Sequence, residues 1–186
     1  MLNSALSTDG ISKVAECQAL LQSHLGDYIW NTPTEALHIT LMDWLAPLID
    51  YGRDKDALFD EVFGPYDETL TEVLRPYGLI NVKFAEIRIS PSAIFAVGTD
   101  DGQFGEIRKK FLAREKLLPN TKAPPSIIHF TISRFLKEMP VSELSDLISD
   151  ITFGFSQEVD EFRLVREDRL PMLSSKVIKR YSLKGK

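Results

Sequence analysis

Two four-residue segments of this chain carry one pattern, His38-Ile39-Thr40-Leu41 and His129-Phe130-Thr131-Ile132. Two of the three histidines fall in that pattern, 91 positions apart. Imidazole is the side chain whose ordinary pKa lets it take up or release a proton near neutral pH. A matched pair therefore suits a reaction that needs one general base and one general acid. A hydroxyl two positions after each histidine adds a fixed donor, the kind of group that stabilises negative charge as it develops on oxygen.

The elements that must present these groups follow from the spacing. In an extended strand successive side chains point to opposite faces. His38 and Thr40 then share one face and Leu37, Ile39 and Leu41 the other. His129, Thr131 and Ser133 likewise oppose Ile128, Phe130 and Ile132. Each strand has an apolar back for a core and a polar front for a wet site. A lone strand histidine is more often structural, and a strand threonine is common; the shared offset is what makes the pair informative. His24 fits neither segment and, near a helix end, suits the negative end of the helix dipole.

Around these strands, Ile11 to Leu25 has the three- and four-residue apolar spacing of an amphipathic helix, stopped by Gly26. The first histidine strand is expected over about Ala36 to Leu45, closed by Pro47. Arg53 to Tyr77 reads as two helices divided at Gly64-Pro65. Ile80 to Ile89 and Ala93 to Val97 read as strands joined by Ser90-Pro91-Ser92, with a change of alternation near Ala85 that predicts a bulge. Gly102 to Leu118 predicts a further amphipathic helix, and a loop with Pro124-Pro125 leads into the second histidine strand. A short helix over about Val141 to Ile151 and strands near Val159 to Arg166 and Lys176 to Leu183 complete the chain. Helices mixed with hairpin-linked strands favour an α+β class. A helix followed by a His-x-Thr strand, occurring twice, suggests two pseudo-symmetric lobes whose polar strand faces meet across a cleft.

The length of 186 residues fits one domain, residues 1–186. The apolar share of 44% and charged share of 26% are those of an ordinary soluble protein. No apolar run reaches the roughly 18 residues of a membrane span, and Met1 to Gly10 is too polar for a secretory signal; a cytoplasmic location is the expectation. Cys17 is alone, which excludes a disulfide framework or a thiolate zinc site and suits a buried helix position. The net charge of −5 divides into −10 over residues 1–105 and +5 over 106–186. That balance disfavours tight binding to a long duplex and leaves room for a small anion or one end of an RNA.

The two segments resemble the paired His-x-Thr/Ser motifs of the two-histidine (2H) phosphoesterase superfamily. Leu37 to Leu41 and His129 to Arg134 are similar to the first and second motifs of its LigT-like branch of RNA 2',3'-cyclic phosphodiesterases. The order of strand pair, helix and second motif is similar too, as is the closing Phe162-Arg163-Leu164-Val165-Arg166-Glu167 strand before Tyr181-Ser182-Leu183. The resemblance covers about Ile11 to Leu183. Two stretches depart from it: Met1 to Gly10 offers none of the usual first strand, and Met42 to Asp54 lacks the LigT-like pattern.

The resemblance implies antiparallel sheets flanking a central cleft, with helices outside. It implies a metal-independent phosphodiesterase, without cofactor, that hydrolyses 2',3'-cyclic phosphates or 2'-5' linkages of nucleotides or RNA ends. His38 and His129 would be the acid–base pair, with Thr40 and Thr131 on the phosphoryl oxygens. Which histidine is acid and which is base stays open in the sequence. Three weaker candidates for substrate contact are Trp44, which shares the parity of His38 and could equally be a core aromatic, Tyr181, and Arg134, which resembles a motif arginine. The parity of Arg134 opposes that of His129 unless the strand has ended by then. The alternative function is a nucleotide- or RNA-end-binding module without turnover, and neither a membrane partner nor an oligomeric state is indicated.

Overall fold

The computed structural model describes residues 1–138, 144, 147–149 and 151–183. Among them the chain runs β1 (Leu2–Ala5), α1 (Thr8–Leu25), β2 (Ile29–Asn31), β3 (His38–Met42), α2 (Lys55–Leu74), β4 (Ile80–Ser90), β5 (Ala93–Thr99), α3 (Gln103–Leu112), β6 (Ile128–Phe135), β7 (Phe155–Val159), β8 (Glu161–Arg169) and β9 (Ser174–Ser182). The strands form two antiparallel sheets, ordered β3-β1-β8-β9 and β2-β6-β5-β4-β7. The expected α+β class holds, and each histidine strand belongs to a different sheet. No helix among the described residues is long and apolar enough to cross a membrane.

Local signals account for most of these elements. The Ser7 hydroxyl accepts from the Gly10 amide and starts α1. Val14, Cys17, Leu21 and Leu25 form its buried stripe, and Gly26 at φ +48° ends it. Burial holds the Cys17 thiol protonated, with its pKa pushed up to about 11. α1 lies on β2, β6 and β7, while α3 packs against β3 and α2. The hairpin of β4 and β5 turns at Pro91-Ser92, and its register slips between Phe84 and Glu86, the bulge foreseen at Ala85.

Several expectations need correction. Leu2–Ala5 does form the first strand, and it is central, paired to β3 on one side and β8 on the other. Its polar residues hid it, because Asn3 and Ser4 are buried and Asn3 is satisfied in part by Arg163. The region of Arg53 to Tyr77 holds one helix rather than two. Leu58, Val62, Tyr66, Leu70 and Val73 keep a single buried stripe across Pro65, so packing outweighs one missing amide donor. α3 stops at Leu112, six residues early, where Arg114 and Glu115 take the places that would continue the stripe after Phe111 and bind Glu72 and Thr69 instead. β2 and β7 were not foreseen, being only three and five residues long. Of the short helix expected over Val141 to Ile151, Leu144 and Leu147–Ser149 are helical, and most of the remainder lies outside the described residues.

One core unites the two sheets. Leu37, Ile39, Leu41, Ile128, Phe130 and Ile132, the apolar backs of both motifs, belong to it and are each no more than 5% exposed. The Phe130 ring meets Phe84 edge-on, with centroids 4.9 Å apart, and Phe84 in turn crowds Gly98 of β5. A Cβ on Gly98 would come within 2.7 Å of both Phe84 and Val82. Gly98→Ala is accordingly expected to cost about 1–3 kcal/mol by overpacking, measured by urea unfolding; an unchanged midpoint would show that this contact yields.

Candidate active site

Strand alternation carries the four motif side chains to one place. His38, Thr40, His129 and Thr131 are partly buried and line a single cavity of about 150 Å³, together with Arg134. The first pair comes from the free edge of the four-stranded sheet and the second from β6, between β2 and β5 in the other. The Thr40 hydroxyl meets Met1 Sδ at 3.6 Å, a weak acceptor that a better one can displace.

The carbonyl two residues upstream acts on each ring, and it orients that of His38 through a hydrogen bond. Nδ1 of His38 is 2.7 Å from the Ala36 carbonyl oxygen. A carbonyl only accepts, so Nδ1 carries the proton and Nε2 is the nitrogen available as a base. For His129 the corresponding group is the Ile127 carbonyl, which favours the charged ring although Nδ1 makes no formed hydrogen bond. Burial pushes His38 from its ordinary 6.5 down to about 4; the Ala36 carbonyl opposes this, and the nearby Arg163 and His129 add to it. Burial also lowers His129, against the Ile127 carbonyl and with the help of Arg108. Both imidazoles therefore favour the neutral form.

Arg134 reaches the cavity for a reason the sequence conceals. In the pairing of β5 with β6, Ile94 faces Ser133 but Phe95 faces Thr131, so Ile132 is an extra residue in β6. Ile132 and Ser133 both point inward, and Ser133 donates to Asn31 Oδ1 at 2.7 Å. The bulge reverses the alternation and returns Arg134 to the face of His129.

The other two sequence candidates lie elsewhere. Trp44 falls beyond the end of β3 and is 1% exposed in the core, stacked on Phe111 and edge-on to Tyr66. Tyr181 is buried on β9, where its hydroxyl donates to Asp67 Oδ1 at 2.7 Å. Neither lines the histidine cavity. His24 stands at the end of α1 with Nδ1 3.0 Å from the Leu20 carbonyl oxygen, also apart from the site.

Sequence reasoning missed Thr32, Ala36 and Pro171, which complete the cavity wall. The Thr32 Oγ1 is buried with no hydrogen-bond partner, an unspent donor on that wall. Phe95 was missed as well; it pairs with Thr131 across β5 and β6, and its ring meets the His129 ring edge-on with centroids 5.9 Å apart. Only the alternation of Ala93 to Val97 hinted at it. Among the described residues no group of three His, Cys, Asp or Glu side chains could hold a metal ion.

The fold that holds this cavity recurs in solved structures. The TT0787 protein of Thermus thermophilus superposes with a TM-score of 0.68 at 19% identity, over 99% of this chain and 97% of that one. LigT of E. coli, crystallised with ATP, gives 0.58 at 12% identity over 98% and 96%. The chain has the LigT-like 2H phosphoesterase fold. The same 2H fold is shared with the PDE domain of MHV ns2, at a TM-score of 0.52 and 13% identity over 96% and 97%. LigT has also been crystallised with 3'-AMP and with NADP+. No protein-family model and no curated protein matches the sequence.

The depressed His38 makes stability depend on pH. Its pKa falls from 6.5 unfolded to about 4 folded, so the unfolded chain binds the extra proton between those values. Its contribution is fully present above pH 6.5 and is lost as the pH falls toward 4, by roughly 3 kcal/mol at 1.36 kcal/mol per unit. Urea unfolding at pH 7 and pH 4.5 should show a smaller acid-induced loss in His38→Ala than in the parent, by roughly 2 kcal/mol. Equal losses in both proteins would contradict the assigned shift.

Proposed function

We propose that this chain is a metal-independent phosphodiesterase acting on nucleotides, which opens 2',3'-cyclic phosphates or cleaves 2'-5' linkages, including those at RNA ends. The observation that carries the reading is the convergence of both His-x-Thr pairs on one cavity of about 150 Å³. The 2H fold supports it, and the nucleotides bound to LigT support the substrate class.

The chemistry follows from the assigned protons. His38, neutral with its proton on Nδ1, takes a proton from water at Nε2 as the water oxygen bonds to phosphorus. The bond from phosphorus to the ribose oxygen breaks on the opposite side. His129, when protonated, donates to that leaving oxygen and ends neutral. Charge grows meanwhile on the non-bridging oxygens, where the Thr40 and Thr131 hydroxyls donate. Arg134 stands on the same wall and attracts the phosphate. The stronger depression of a ring whose Nδ1 proton is committed favours His38 as base and His129 as acid.

Purified protein should hydrolyse a 2',3'-cyclic nucleotide or a cyclic-phosphate-ended RNA in excess EDTA. His38→Ala and His129→Ala should each lower turnover by on the order of 100-fold or more while the circular dichroism spectrum is kept. Undiminished turnover in both would remove the acid–base pair. Nucleotide binding by the parent without product would leave a binding module instead.

The same assignment fixes a pH profile. kcat/KM reports the free enzyme and should rise near pH 4 as His38 loses its proton. It should decline again below the ordinary histidine value of 6.5 as His129 loses its own. An optimum above pH 8 would reverse the argument.

A further inference from the structure

We propose that Arg108 is a positioning residue that sets the two histidine motifs against each other, tying β3 to the turn of chain that enters β6. The inference rests on the acid–base reading of the cavity, and part of its test does not need activity. Arg108 lies in the buried stripe of α3 with Phe104, Ile107 and Phe111, and is only 6% exposed. Arginine is rarely buried without a partner. Its acceptors here are three main-chain carbonyls. Nε donates to Leu41 at 2.8 Å, Nη2 to Thr40 at 2.9 Å and Nη1 to Ile127 at 3.4 Å. The guanidinium also sits 5.5 Å from the centre of the Phe104 ring.

Two of those three carbonyls belong to the first motif and the third lies just ahead of the second. Thr40 and Leu41 end the first, and Ile127 precedes the second by two residues. No strand ladder joins the two sheets among the described residues, so main-chain pairing leaves the spacing of His38 and His129 to other contacts. A planar fork with donors in fixed directions supplies such a contact across the gap. The Ile127 carbonyl also acts on the His129 ring and favours its charged form, so the cation and the imidazole draw on one acceptor.

A comparison within the chain separates this role from ordinary capping. Gln18 on α1, ninety positions earlier, donates through Nε2 to the Thr32 carbonyl at 2.9 Å and the Ile132 carbonyl at 2.8 Å. A neutral amide therefore serves where both acceptors lie within one sheet. At the junction between sheets the chain uses a wider fork carrying a permanent charge, held on despite burial that lowers its pKa to about 10. The charged or titratable groups on the described residues that act on the two rings are Arg108 from α3, Arg163 from β8, the amino group of Met1 and the ring of His129 upon that of His38.

The test compares Arg108→Met and Arg108→Lys with the parent, following His38 and His129 by NMR titration and measuring kcat and KM on a 2',3'-cyclic nucleotide. In Arg108→Met the His129 midpoint should rise, because a cation and a competitor for the Ile127 carbonyl are both removed. Arg108→Lys should keep the His129 midpoint near the parent's, since the charge remains. Both variants should lose kcat, on the order of 100-fold for a misplacement of about 1 Å, with KM little changed. An unmoved His129 midpoint in folded Arg108→Met would overturn the proposal, as would full kcat in Arg108→Lys. Should Arg108→Met not fold, the Lys variant still decides through its split between kcat and KM. If the parent lacks turnover, the proposed function fails while the midpoints still judge Arg108.

Discussion

Everything at the cavity depends on two short strands from separate sheets burying their backs in one core. Leu37, Ile39 and Leu41 on one side, and Ile128, Phe130 and Ile132 on the other, are among the least exposed residues in the chain. Slipping either strand by one position would expose its apolar set and bury its imidazole. The hydrophobic demand of the interior thus fixes which way the catalytic candidates face. It does so without any interaction between the polar groups themselves.

Once the rings face one space, electrostatics decides what they are. Burial and neighbouring cations hold His38 neutral, and the Ala36 carbonyl chooses its tautomer. The charges of Arg163 on His38 and of Arg108 on His129 reach the same rings, and they would favour an anion in the cavity. A site that destabilises protonated imidazole when empty is one that an anionic substrate would shift back toward it. The cationic surroundings and the low proton affinity are two aspects of one design.

How much of this could be read from the chain follows the length of each signal. The motif strands and the stripe of α1 were legible because each repeats a period over several residues, and the bulge at Ala85 because it breaks one. The first strand was not, since a central strand of four residues with a buried Asn3 and Ser4 violates the apolar pattern that marks burial. Pro65 misled for the opposite reason: a local breaker was overruled by a stripe that only tertiary contacts complete. Within the site, the histidines and threonines were found by their offset. Thr32, Pro171 and Arg108 carry no such periodicity, because they come from a loop, a turn and a helix stripe where an arginine reads as surface. Trp44 was placed by extrapolating a strand past its true end at Met42.

The single extra residue in β6 has a wider meaning. A regular strand offers one side only its odd or only its even positions, so histidine and arginine five apart could never cooperate on the same substrate. Inserting Ile132 shifts the frame of the strand midway, and one continuous segment then displays a proton carrier, a hydroxyl and a guanidinium together. In the proposed mechanism, groups that would otherwise need a second segment are compressed into His129 to Arg134. Removing one position there would scramble the cavity-facing set while leaving the composition of the segment almost intact.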